Sequence, residues 1–245
     1  LQATKLRSGY PQEIARRRDC FGREALLNDS APDVAPGSQT WTALESDPVE
    51  TTDPHTDGSV LTFEASRRNM YLPFTPGSGV YELSVQMKLD PADDSTDWAG
   101  LGFMGAEPRV DEGNMAFGED DEGGRPWVLL RQNGAALAFA GPGATEDFGS
   151  EDEGTYVPDA FHTLKVTLDT TGAEWTVDAS INGSPLGETY TYTENPDIGS
   201  VGISTSPFGG DWEYTFDNFS LVPEPTTLGL LGLGSLATLL RRRRR

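Results

Sequence analysis

The stretch Val80-Tyr-Glu-Leu-Ser-Val-Gln-Met-Lys-Leu89 alternates apolar and polar side chains over ten residues. Successive side chains of a β-strand point to opposite faces of the sheet, so this alternation predicts a strand with one apolar face. The residues expected on that face are Tyr81, Leu83, Val85, Met87 and Leu89. A sheet built from such strands needs a second layer to cover its apolar side.

Two further segments have the same pattern. The first is 161–169, with the apolar residues Phe161, Leu164, Val166 and Leu168. The second is 173–182, with Trp175, Val177, Ala179 and Ile181 on one face. Asp169-Thr-Thr-Gly172 is the turn between them, and Asn182-Gly183 predicts a type I′ hairpin turn because both residues tolerate positive φ.

Shorter apolar runs bounded by Gly, Pro, Asp and Asn predict nine more strands. They lie at 38–44, 59–65, 70–74, 98–105, 126–132, 136–140, 190–193, 200–206 and 212–221. No long stretch between residues 25 and 222 has a helical period. We therefore expect residues 25–222 to form one all-β domain, a two-sheet antiparallel sandwich.

A different pattern begins where this domain ends. Val222-Pro223-Glu224-Pro225 is followed by an uncharged apolar run and then by arginines. The two prolines favour an exposed, extended linker over a helix. The uncharged residues 226–240 would span roughly 22 Å as a helix, which is short against about 30 Å of hydrocarbon. We expect a short transmembrane helix with the arginines at a cytoplasmic end.

The residues of this tail fall into two groups. The predicted membrane segment contains Leu228, Leu230, Leu231, Leu233, Leu236, Leu239 and Leu240. The predicted cytoplasmic stop is Arg241, Arg242, Arg243, Arg244 and Arg245. A buried amphipathic helix is the alternative, but the run has no polar face and contains several glycines.

This tail, with Val222-Pro-Glu-Pro225, the Leu/Gly-rich run and the terminal arginines, resembles the PEP-CTERM sorting signal of Gram-negative bacteria. That resemblance implies export, transient retention in the inner membrane, processing by an exosortase, and release to the cell surface or extracellular matrix. Export also calls for an N-terminal signal, and residues 1–24 lack its apolar stretch. We expect residues 1–24 to be disordered or misassigned, residues 25–222 to be the sandwich, and residues 223–245 to be the sorting signal.

Charge excludes one class of partner. The chain has 18 basic and 39 acidic residues and a formal net charge of -21. Six of the basic residues precede position 24 and five end the chain, which leaves seven for the whole middle. Because such a surface repels phosphates, we expect no nucleic-acid partner.

A second resemblance is carried by the segments 26–33, Trp41-Thr-Ala43, 71–76 with Tyr81-Glu-Leu83, and Phe216-Asp-Asn-Phe219. With these segments the domain resembles the laminin G-like, concanavalin A-like jelly rolls found in many PEP-CTERM proteins. The resemblance implies a two-sheet antiparallel jelly-roll sandwich of the concanavalin A-like type over about residues 25 to 222. The ligand-binding residues are left unknown at this stage.

The aromatic residues have two interpretations. A sugar site would need several exposed aromatic rings beside polar groups, whereas alternation within strands favours packing. We expect packing for Trp41, Trp98, Trp127, Trp175 and Trp212. We expect Asp217 and Asn218 to form a structural pair.

Metal and catalytic sites are weakly indicated. Calcium is the ion that the acidic loops Asp93-Asp-Ser-Thr-Asp97 and Glu119-Asp-Asp-Glu122 would suit, although neither has EF-hand spacing. The single cysteine, Cys20, allows no intramolecular disulfide and no thiolate metal site. No metal ligand or cofactor is assigned.

Catalysis is the alternative function. Laminarinase-type enzymes of this fold carry Glu-x-Asp-x-x-Glu or Glu-x-Asp-x-Glu on one strand, but 119–122 is flanked by glycines and predicts a loop. His55 and His162 fit no Ser/His/Asp arrangement. We expect an exported, non-catalytic surface or matrix protein whose sandwich binds carbohydrate or protein. The alternative is a secreted glycoside hydrolase or lyase of the same fold.

Overall fold

The computed structural model describes residues 42–45, 55–57, 60–64, 68–91, 97–105, 125–141, 147–206 and 213–223. These ranges contain β-strands, turns and loops but no helix. The strands are β1 Thr42–Glu45, β2 His55–Asp57, β3 Val60–Glu64, β4 Arg68–Pro73, β5 Val80–Leu89, β6 Trp98–Met104, β7 Trp127–Arg131, β8 Ala136–Phe139, β9 Asp147–Glu151, β10 His162–Asp169, β11 Thr176–Ile181, β12 Ser184–Pro185, β13 Tyr190–Thr191, β14 Ser200–Ser206 and β15 Glu213–Pro223.

The strands form two antiparallel sheets, as predicted. The seven-stranded sheet has the order β1-β4-β14-β6-β7-β8-β9. The eight-stranded sheet has the order β12-β11-β10-β5-β15-β3-β2, with β13 paired to β11. Several neighbours are distant in sequence, since β14 lies between β4 and β6 and β15 lies between β3 and β5. This interleaving of early and late strands is the long-range connectivity of a jelly roll.

The core lies between the sheets and follows the predicted alternation. In β5, Leu83, Val85, Met87 and Leu89 are buried, and Tyr81 packs against them. The opposite sheet contributes apolar side chains at alternate positions of its central strands. These are Met70, Leu72, Ala99, Leu101, Phe103, Val128, Leu130, Val201 and Ile203.

All twelve predicted strands have a counterpart, and three strands were missed. The missed ones are β2, β9 and β12, which are short, polar edge strands without an apolar alternation. For β1, the counterpart of 38–44, only 42–45 lie among the described residues. Such strands are defined by backbone pairing to a neighbour, and pairing leaves little trace in composition.

The β11–β12 turn and the start of β10 show one success and one error. Asn182 and Gly183 have φ values of 54° and 79°, which confirms the predicted turn. Phe161 is wrong as a core residue, because it is 45% exposed. The strand begins one residue later, so His162 takes the buried position.

Asp217 and Asn218 form a structural pair in the middle of β15. The register against β5 shifts between Asp217 and Ser220, and Asn218 has a φ of 52°. The Asn218 amide N–H donates to Asp217 Oδ1 at 2.7 Å, and its side-chain amide donates to Gln86 Oε1 at 2.8 Å. These bonds stabilise a β-bulge that increases the local twist of the central strand.

One buried hydroxyl fastens the β4–β5 loop to the end of β10. The backbone N–H of Gly79 donates to Thr170 Oγ1 at 2.9 Å, and that hydroxyl lies 2.5 Å from the carbonyl oxygen of Gly77. The Thr170 N–H in turn donates to the Gly79 carbonyl at 2.8 Å. Thr170 is buried, so water cannot replace these bonds.

Thr170→Val should lower the free energy of unfolding by about 1–3 kcal/mol, because it leaves the Gly79 N–H and the Gly77 carbonyl without their partner at nearly constant volume. The control is Thr167→Val, on the outward side of β10, where the loss should be within about 0.5 kcal/mol. Urea denaturation of both variants tests this. Equal losses in the two variants would contradict the role given to Thr170.

Candidate functional site

The outer faces of the two sheets differ in character. The eight-stranded sheet has the solvated outer face expected of a two-layer sandwich, with Glu82, Ser84, Gln86 and Lys88 alternating along β5. Lys165 of β10 and Glu82 form a salt bridge of 2.9 Å across this face. Nothing in this polar surface distinguishes it from an ordinary sheet exterior.

The outer face of the seven-stranded sheet is apolar, and we call it the aromatic face. A second hydrophobic cluster, separate from the main core, lies on this face. It consists of Trp98, Met104, Trp127, Leu129 and Phe139, with Tyr71 and Leu137 packed against it. Trp127 stacks on Phe139 with ring centroids 4.3 Å apart and an interplanar angle of 13°. Trp98 lies 5.4 Å from Trp127, centroid to centroid. In an ordinary two-layer sandwich this side faces solvent and is polar.

A lane of small residues runs beside the aromatic cluster. In β14 and β6, Gly202 pairs with Gly102, and Ser204 pairs with Gly100. A Cβ added at Gly202 would lie 1.9 Å from the Met70 carbonyl oxygen, so only glycine fits there. Tyr71 and Trp127 flank the two paired glycines on either side. The face therefore has a strip of glycine and serine residues between the aromatic side chains of Tyr71 and Trp127.

The aromatic face is largely shielded from solvent. Trp98 is 3% exposed and Trp127 1% exposed, which confirms the prediction that both are packing residues. Tyr71 and Arg131 retain partial exposure. Arg131 is paired with Trp98 across β6 and β7, and its Nε is buried without a hydrogen-bond partner within the described part of the chain.

Carboxylates are not brought together on this face by the strands that are described. The outward side chains of β6, β7 and β14 are aromatic, aliphatic, small or, at Arg131, basic. The acidic string 119–122, weighed above as a catalytic set, lies outside the described residues. So do Asp93 and Asp94 of the first acidic loop.

His162 has a structural position. Its Nε2 lies 2.8 Å from the Val157 carbonyl oxygen, and its Nδ1 lies 2.9 Å from the side-chain nitrogen of Asn182. Asn182 Oδ1 accepts the Thr163 N–H at 2.9 Å, which fixes the orientation of that amide. Nδ1 is then the acceptor and Nε2 the donor, so the ring joins the 152–161 loop to the turn between β11 and β12.

Metal-ligating residues form no site within the ranges given above. No group of three or more His, Cys, Asp or Glu side chains there is arranged to hold an ion. Calcium binding by the two acidic loops stays a prediction. Added calcium should raise the melting temperature if they bind it.

The remaining sequence predictions divide between described and undescribed parts. Trp175 is partly buried against the main core, as expected, whereas Trp41 and Trp212 lie outside the described residues. Val222 and Pro223 end β15, so Pro223, which was predicted to belong to the linker, is part of the strand. Glu224, Pro225, the leucine run and the arginines lie beyond the described range. No helix long and apolar enough to cross a membrane occurs among the residues described.

The fold is that of lectin-like jelly rolls. The potassium-bound form of the Emp46p carbohydrate recognition domain superposes with a TM-score of 0.57 at 9% identity, covering 74% of this chain and 87% of that one. A legume lectin-like domain from Entamoeba histolytica gives 0.51 at 10% identity, with 76% and 90% covered. An endo-1,3-beta-glucanase from Streptomyces sioyaensis gives 0.53 at 13% identity, with 80% and 93% covered. At these identities the likeness shows the fold alone.

The tail is the more specific match. Residues 221–245 match the family model of the PEP-CTERM protein-sorting motif. A motif of this kind indicates an exported protein and implies processing by an exosortase. No curated protein matches the sequence.

A buried hydroxyl lies at the end of the sandwich opposite to Pro223. Tyr214 is fully buried, and its OH has no hydrogen-bond partner within the described residues. Burial, followed by the negative charges of Asp97 and Asp90, raises the pKa of Tyr214. The folded protein therefore holds this proton more tightly than the unfolded chain does.

Tyr214→Phe should leave the free energy of unfolding at neutral pH unchanged or raise it by about 1 kcal/mol, because it removes an unpaired buried hydroxyl. Above the unfolded tyrosine value of about 10, the unfolded chain loses a proton that the folded chain keeps, so stability falls as pH rises. The variant has no titrating group at this position, so its free energy of unfolding should fall less between neutral and alkaline pH. Urea denaturation between neutral and alkaline pH measures both effects, and an unchanged alkaline slope would contradict the assignment.

Proposed function

We propose that this chain is an exported, non-catalytic protein of the cell surface or extracellular matrix, and that its sandwich binds carbohydrate on the aromatic face. The observation that carries the proposal is the pair of partly exposed side chains on this face, Tyr71 and Arg131, in a fold shared with carbohydrate recognition domains. Trp98, Trp127 and Phe139 are at most 4% exposed and act as packing residues, so Tyr71 is the ring assigned to stack on a pyranose. Fold likeness supports this function by analogy only, and the face supplies the chemistry.

The first contacts are assigned to the two polar-tipped residues that keep partial exposure. Tyr71 can stack on a sugar ring, and the Arg131 guanidinium can donate to hydroxyl or carboxylate oxygens. These residues are three strands apart and displaced along the strands, which separates their backbones by roughly 19 Å. One ligand that touches both must be an oligosaccharide or polysaccharide.

Arg131→Gln should weaken glycan binding about tenfold, because the variant loses charge-assisted hydrogen bonds. The matched control is Lys88→Gln, which removes one positive charge from the outer face of the other sheet and should leave affinity unchanged. The full-length chain in mild detergent is first screened on a glycan array, and both variants are then titrated with the best glycan. Equal weakening by both variants would locate binding elsewhere, and a blank array would overturn carbohydrate binding.

Polysaccharide cleavage is the second candidate, because the Streptomyces sioyaensis endo-1,3-beta-glucanase shares the fold. A glycoside hydrolase would need two carboxylates about 5 to 10 Å apart across a cleft. A reducing-end assay on every glycan that binds separates the two functions. Binding without product supports the non-catalytic protein, and turnover overturns it.

Sorting is assigned to the C-terminal motif. In this proposal the apolar run Leu228–Leu240 holds the chain in the inner membrane of a Gram-negative bacterium, with Arg241–Arg245 on the cytoplasmic side. An exosortase then recognises Val222-Pro-Glu-Pro225 and releases the protein outward. The support is the match to the sorting motif at 221–245.

Replacing Pro223-Glu224-Pro225 with three alanines should leave the protein in the inner-membrane fraction, because the processing enzyme loses its recognition sequence. The control replaces the neighbouring Thr226-Thr227 with alanines, which keeps the motif. Fractionation and immunoblotting of cells that contain the exosortase measure the outcome. Normal release of the triple variant would show that the motif is not needed for sorting.

A further inference from the structure

The sorting motif begins inside the folded domain. The motif starts at residue 221, whereas β15 runs to Pro223. Leu221 is 1% exposed in the main core and pairs with Leu83, and Pro223 pairs with Tyr81. The first three residues of the signal are therefore the last three of a central strand. No separate linker precedes the signal.

The chain between the domain and the apolar run is very short. Glu224-Pro-Thr-Thr227 are the only residues between Pro223 and Leu228. In any conformation they allow at most about 18 Å between the Cα atoms of Pro223 and Leu228. The headgroup layer takes up roughly 6 Å of that span. Pro223 must then lie within about 12 Å of the outward-facing headgroup surface of the inner membrane whenever the leucine run is in the hydrocarbon.

The end of the sandwich at which β15 leaves is a firmly built surface, which we call the exit end. Among the described residues, this end includes Pro223, the β4–β5 loop 74–79 and the turn 170–175. The Gly77 N–H donates to Tyr81 Oη at 2.8 Å, and Thr170 fastens the same loop. Unpairing β15 to lengthen the connection would expose Leu221, which is a core residue.

We infer that the exit end is the membrane-facing surface of the folded domain, and that it rests against the lipid headgroups while the tail is inserted. This inference rests on the proposed function, because it requires the tail to enter the bilayer. The opposite end, with the 152–161 loop and the Asn182-Gly183 turn, then points away from the membrane. The strands then run away from the membrane, so the aromatic face is directed sideways and not toward the lipid.

The test uses the full chain with Cys20→Ser and one new cysteine for a fluorophore. Ser78→Cys labels the exit end, and Thr155→Cys labels the far end; both residues are exposed. The two ends are about 30 Å apart along the strands. In phosphatidylcholine vesicles that carry a short-range headgroup quencher, quenching should be several-fold stronger at position 78 than at 155. Equal quenching at both positions, or none at either, would overturn the inference.

A spacer variant tests whether the short connection is the cause. Twenty Gly/Ser residues inserted between Thr227 and Leu228 add an average reach of roughly 25 Å. The difference between the two labels should then largely disappear. A difference that survives the spacer would contradict the tether argument.

Vesicle flotation distinguishes failure of this inference from failure of the proposed function. A chain that floats with vesicles but shows equal quenching overturns only the orientation. A chain that does not float has no inserted tail, and this result overturns both the membrane-retention step and the orientation.

Discussion

Everything in this molecule depends on two apolar sheet faces covering each other. The alternation in β5 gives the eight-stranded sheet an inner face that cannot remain in water, and the alternating residues of β4, β6, β7 and β14 provide its cover. Burial of this kind contributes about 25 cal/mol for each Å² of apolar surface. The antiparallel ladders then fix the register, because a slip by one residue would turn every core side chain outward. The bulge at Asp217 and the hydrogen bonds of Thr170 are local features of these paired strands.

The same constraint explains how much the sequence could predict. Period-two alternation is a local signal, so β5, β10 and β11 were located closely, and the Asn182-Gly183 turn followed from the freedom of those residues to adopt positive φ. The pairing order is a long-range property, so nothing local could place β14 between β4 and β6. Phe161 is out of phase with Leu164, Val166 and Leu168, so the alternation that buries these three residues also buries His162 and leaves Phe161 exposed.

The candidate site was harder to predict for a related reason. Trp98 and Trp127 were expected to pack, and they do, but a pattern cannot say on which side of a sheet they pack. They lie on the outer side of the seven-stranded sheet, the side that faces solvent in an ordinary two-layer sandwich, and they are nevertheless buried there. Gly100, Gly102 and Gly202 form a continuous lane only because β6 and β14 are neighbours. Tertiary pairing therefore creates both features from residues that are unremarkable in sequence.

The overlap of the sorting motif with β15 changes how mutations in the motif should be interpreted. Leu221 belongs to the matched motif and also to the main core, so a substitution there acts on folding before any enzyme meets the signal. Pro223 is exposed at the end of the strand, where a residue without an N–H costs little. A core leucine replaced by alanine loses about 2–5 kcal/mol, a large share of the stability of an ordinary domain. Recognition by the processing enzyme can therefore be measured cleanly from Pro223 onward, whereas effects at Leu221 report on the stability of the sandwich.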